Sequence, residues 1–67
     1  MLSKLIERGY KELSFQEAIA GLEFWEGQNR HGDEVEIIVN LMVGTVVVRT
    51  LDAHEDRFGP WVEEDME

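Results

Sequence analysis

The residues that could do chemistry stand in two short clusters, His31-Gly32-Asp33 and His54-Glu55-Asp56. From them, His31, Asp33, His54 and Asp56 supply two imidazoles and two carboxylates, a donor set that suits zinc, nickel or manganese. The set converges only if the chain between the clusters folds back on itself and pairs well into loop-like sequence. The plainer reading is two exposed histidines in an acidic neighbourhood, and no catalytic spacing follows from it.

Other chemistry is excluded more cleanly. The chain has no cysteine, so thiol catalysis, thiolate metal sites and disulfide staples are all out. Its serines are Ser3 and Ser14, and the second is better used as a cap. No phosphate-cradling G-x-x-x-x-G-K-[ST], no G-x-G-x-x-G, no H-E-x-x-H and no G-x-S-x-G occurs. A domain this small also has little room for a small-molecule pocket of ~300 Å³. The expectation is a non-enzymatic protein without a cofactor.

Charge is the most informative global property. Fifteen Asp and Glu face six Lys and Arg, a formal net charge of -9. The first thirteen residues hold Lys4, Arg8 and Lys11 against Glu7 and Glu12, net +1, so the remainder carries -10. Phosphate backbones and anionic membrane surfaces are repelled by such a chain, so direct nucleic-acid binding and membrane association are not expected. The expected partner is a protein with a basic surface. No stretch reaches the ~18 apolar residues of a spanning helix, and the N-terminus lacks the apolar core of a signal peptide, so a cytoplasmic location is expected.

Any such site must be positioned by the stretch from Asp33 to Leu51, DEVEIIVNLMVGTVVVRTL, the densest β-branched run in the chain. It is too long for one strand of about 5 to 6 residues and should fold back near Gly44. A tight turn on Val43 and Gly44 would set Val39 opposite Val48 and Leu41 opposite Val46, with Ile37 opposite Thr50 and Val35 opposite Asp52. A bulge at Gly44, or a buried helix over the whole run, is an alternative. On the second face, Ile38, Val47 and Leu51, with Met42 near the turn, need a cover, which makes them the candidate oligomer interface of an expected homodimer.

The spacing of Leu2, Leu5 and Ile6 predicts a short helix over residues 2 to 8, ended by Gly9. Ser14 and Glu17 stand at capping-box spacing, and Phe15, Ala18, Ile19 and Leu22 follow a helical stripe, predicting a second helix from Ser14. Residues 27 to 32 read as a loop. Residues 52 to 58 read as one helical turn capped by Asp52, and Trp61-Val62 as a third strand or a cover for the hairpin. The fold class expected is α+β: two N-terminal helices packed on a two- or three-stranded antiparallel sheet, one domain over residues 1–62 with an acidic tail at 63–67.

Two functional readings follow. The first is an interaction module, in the sharper form an inhibitor of the phage or plasmid type that blocks a nucleic-acid-binding target by presenting carboxylates where phosphates would lie. Its candidate partner-binding residues are Glu34, Glu36, Asp52, Glu55, Asp56 and Trp61, with Trp25, Phe58 and Met42 as further anchors or core. Duplex DNA carries one charge per ~1.7 Å, so a globule ~25 to 30 Å across faces about fifteen of them. The second reading is a homo-oligomeric assembly domain without a heterologous partner.

Overall fold

The computed structural model describes residues 2–65, and among them the chain is mostly antiparallel sheet. Helix α1 (Leu2–Glu7) precedes β1 (Lys11–Ile19), β2 (Leu22–Gln28), β3 (Glu34–Asn40), β4 (Thr45–Asp52), β5 (Arg57–Phe58) and β6 (Val62–Glu64). Strands β1 to β5 lie side by side in chain order, and β6 also pairs with β4. Val46, Val47 and Val48 face β6, whereas Leu51 and Asp52 face β5. The two short strands thus form one edge, interrupted where Gly59 donates its N–H to the Thr50 carbonyl (2.9 Å) and Pro60 has none to give.

This corrects the expected two helices on a two- or three-stranded sheet. The first helix ends as its glycine predicts: the Tyr10 N–H reaches the Leu5 carbonyl (3.1 Å) and the Gly9 N–H the Ile6 carbonyl (3.0 Å), with Gly9 at φ 93°. That bond pair is a Schellman cap, and Tyr10 packs against the core cluster to which Leu5 belongs. The expected second helix is instead the β1–β2 hairpin, closed by Ala20 and Gly21 at φ 52° and 82°, the pattern of a type I′ turn.

The reason is a bulge. Phe15 pairs with Trp25 but Glu17 with Phe24, so Gln16 is an extra residue that shifts the alternation. Ser14 and Glu17, three apart as in a capping box, consequently lie on one sheet face, and Phe15 and Ala18 on the other. A bulged strand has borrowed helical spacing.

The Asp33 to Leu51 run is a hairpin, but its register differs from the tight-turn expectation. Ile37 pairs with Val48, Val39 with Val46 and Val35 with Thr50, a displacement of two residues. The connection spans residues 41–44, with Asn40 Oδ1 accepting the N–H groups of Met42 (3.1 Å) and Val43 (3.2 Å). Gly44, at φ 79°, donates to the Asn40 carbonyl (2.7 Å). Val43 resists the positive φ of a two-residue turn; Gly44 takes it instead. An even displacement leaves the two faces as expected.

One face of this hairpin carries the core. Val35, Ile37, Val39, Val46 and Val48 are buried beneath Leu5 of α1, and Tyr10, Leu13 and Trp25 pack around them. The sheet has no second covering element among the described residues, so its other face, the outer face, is open. Residues 53–56 form a turn and not a helical one, with Asp52 Oδ1 accepting from His54 (2.9 Å) and Glu55 (3.3 Å). Glu63 and Glu64, assigned above to an acidic tail, belong to β6, and residues 66–67 lie outside the described part.

Candidate functional site: the outer sheet face

Cross-strand pairing orders the outer face into rows. Glu17, Phe24, Ile38, Val47 and Glu63 form one row across β1, β2, β3, β4 and β6. Next to it run Ser14, Glu26, Glu36 and Arg49. On the other side lie Ile19, Leu22, Asn40 and Thr45, and Gln28 pairs with Glu34 toward the far end. An apolar centre of Phe24, Ile38 and Val47 is therefore bracketed by carboxylates. Phe24, Ile38 and Val47 remain partly accessible, and among the described residues no element packs on them.

Arg49 organises the lower half of the face. Its guanidinium bonds the Glu36 carboxylate and lies over the rings of Phe58 (4.6 Å) and Trp61 (4.7 Å). A delocalised, weakly hydrated cation suits that stacked position better than an ammonium would. Glu26 lies directly across β2–β3 from Glu36 and forms no ion pair among the described residues. A cleft of about 370 Å³ opens beside these groups, lined by Glu12, Glu26, Glu34, Glu36 and Phe58.

Of the partner-binding candidates, Glu34, Glu36 and Trp61 come together on or beside this face. Asp52, the last residue of β4, and Glu55 and Asp56, in the β4–β5 connection, stand apart: Asp52 caps the turn and Glu55 pairs with Arg57 (2.8 Å). Of the oligomer candidates, Ile38, Val47 and Leu51 share the outer face, while Met42 projects from the 41–44 turn at 84% exposure, against Gly21. Glu17, Phe24, Glu26, Arg49 and Glu63 were not among the site candidates read from sequence. Glu17 was read into a helix and Glu63 into a tail, which hid the strand alternation that groups them.

The metal candidates do not gather. Asp33 and His54 line one shallow cavity, whereas His31 lines another with Arg30 and Tyr10. Among the described residues no three His, Asp or Glu side chains are placed to hold an ion.

The helix side differs electrostatically. Arg8 pairs with Glu64 (3.3 Å), and Glu64 also accepts the Tyr10 hydroxyl. Partial burial, then the hydrogen bond and the charge of Glu64, push the Tyr10 phenol well above its ordinary range, against the pull of Arg8. Lys4 lies in α1, Arg8 directly follows it, and Arg30 packs on the glycine that ends it, Gly9. No protein-family model matches the chain, and no curated protein or solved structure matches it.

Proposed function

We propose that this protein is a non-enzymatic interaction module whose outer sheet face docks on a basic protein surface, occupying a site that otherwise takes nucleic-acid phosphates. The observation that carries the reading is the segregation of charge. Five carboxylates, Glu17, Glu26, Glu34, Glu36 and Glu63, share the open face with two cations, Arg49 and Lys11, the latter paired with Gln28, whereas on the helix side Lys4, Arg8 and Arg30 are balanced by Glu7, Glu23 and Glu64. Acidity that served solubility alone would have no reason to be sorted by face. Opposed potentials of this kind raise association rates and give binding that falls with salt.

The long dimension of 35 Å would face about twenty duplex charges at one per ~1.7 Å. A single copy at -9 offers fewer than half that number, so the mimicry is local. The test is capture of nucleic-acid-binding proteins from lysate, repeated with excess duplex DNA and with the variant Glu26→Gln/Glu34→Gln/Glu36→Gln. Capture that DNA competes away and that the triple variant loses is the expected result. Capture indifferent to both removes the reading.

A second reading, self-assembly, rests on the open apolar row and on the exposed β1 edge. Face-to-face copies would set carboxylates against carboxylates, and the two bulges of β1 twist its edge away from regular pairing. Light scattering across a concentration series decides it: a monomer at all concentrations sets self-assembly aside.

A further inference from the structure

The outer-face row has a shape as well as a charge, and it narrows what can sit there. Resting on the interaction reading above, we infer that the occupant is an amphipathic helix of the partner protein, with Lys and Arg along one flank, lying across the strands over Phe24, Ile38 and Val47.

The dimensions set this. Strands lie ~4.8 Å apart, so Glu17 and Glu63, on strands four spacings apart, stand about 19 Å apart at the two ends of the row. A helix of about 13 residues is about 19 Å long. Rows on one face repeat every ~6.7 Å along the strands, so a helix about 10 to 12 Å in diameter covers roughly two of them. The two it would cover are Phe24-Ile38-Val47 and Leu22-Asn40-Thr45, both uncharged, with Ile19 at 56% exposure extending the second. Glu26 and Glu36 then lie along one flank, and Glu17 and Glu63 at the ends.

Other occupants fit less well. An extended peptide satisfies its backbone at a sheet edge and not on a face, and a face packs against a helix or another sheet. A second sheet would reach over the next row and bury Glu26 and Glu36, the first of which has no ion pair among the described residues. A second copy brings the same carboxylates onto themselves. The chain's own helix is engaged on the opposite face through Leu5.

The test uses the full chain, isotope-labelled, and a synthetic peptide of about 14 residues made of Leu and Lys. Leu occupies i, i+3, i+4 and i+7, and Lys one flank. Two controls are a scrambled peptide of equal composition and one with Glu replacing Lys. Calorimetry should give binding at least about tenfold tighter for the amphipathic basic peptide than for either control, with amide shifts at Phe24, Glu26, Ile38 and Val47. Ile38→Thr, and separately Val47→Thr in case the first fails to fold, should each weaken it about fivefold or more.

Equal binding of the scrambled peptide overturns the helix inference and leaves the acidic-face reading standing. Equal binding of the Glu peptide, or no binding of any basic peptide, overturns both. Shifts confined to α1 or to residues 41–43 overturn the placement.

Discussion

At the scale of single residues, three positions carry strain or a constraint that can be measured. Ala20 holds φ 52°, a left-handed conformation that costs an alanine roughly 1 kcal/mol and suits asparagine. Ala20→Asn should therefore stabilise the protein by about 0.5 to 1 kcal/mol in chemical denaturation; a loss would mean that the turn is not of this type. Gly27 has no room for a side chain, since a methyl there would fall 2.8 Å from Leu13 Cδ2 and 3.0 Å from the Lys11 carbonyl oxygen. The bulged start of β1 leans on that vacancy, and Gly27→Ala should cost about 1 to 3 kcal/mol. Tyr10 is the chain's one tyrosine, so its titration can be followed by phenolate absorbance without ambiguity. Its phenol is raised in the fold, so the native state keeps the proton after the unfolded state has lost it near pH 10. That stability is fully present below pH 10 and drains away as pH rises above it. Tyr10→Phe should abolish this alkaline dependence, and an ordinary phenol titration in the wild type would contradict the assignment.

At the scale of elements, three connections are held by one device. Asn29 Oδ1 accepts the N–H groups of His31 (2.9 Å) and Asp33 (3.0 Å), Asn40 those of Met42 and Val43, and Asp52 those of His54 and Glu55. Each side chain does inside a loop what a cap does at a helix end. Asn40→Ala should cost about 1 kcal/mol, and Asn40→Asp, which keeps the accepting oxygen, should recover most of it in the same denaturation series. The hairpin from Asp33 to Leu51 was legible because its β-branched alternation survives an even shift of register. Helix α1 was legible because Leu5 and Gly9 stand where an apolar face and a C-terminal glycine belong. Residues 14 to 22 were not, because the bulge at Gln16 turns a two-residue period into a three-residue step, which is also the first step of a helix. Losing β1 and β2 in this way removed half of the outer face from view. Glu34, Glu36 and Trp61 could be singled out, whereas the Phe24 row and the role of Arg49 depend on strands that only the fold aligns.

At the scale of the whole molecule, charge is held at a cost to the fold. Among the described residues, no helix is long and apolar enough to cross a membrane, and the core is thin, with five buried apolar side chains from the sheet and Leu5 from α1. Glu26 and Glu36 oppose each other directly across β2–β3, a like-charge pair that costs roughly 0.2 to 1 kcal/mol. Arg49 offsets only the Glu36 side of it. A chain at -9 carries such repulsion over much of its surface, and screening should relieve it. The thermal midpoint should therefore rise between low and moderate sodium chloride, while binding to a basic partner falls over the same range. Glu26→Gln separates the two effects at one residue. It removes a repulsion without emptying a core position or breaking an ion pair, so it should raise stability by about 0.5 kcal/mol and weaken binding of a basic partner. Denaturation and partner titration of the same variant decide the matter. A variant that is both more stable and a weaker binder marks Glu26 as a residue kept for recognition against the interest of the fold; one that is less stable shows that its carboxylate is compensated within the chain.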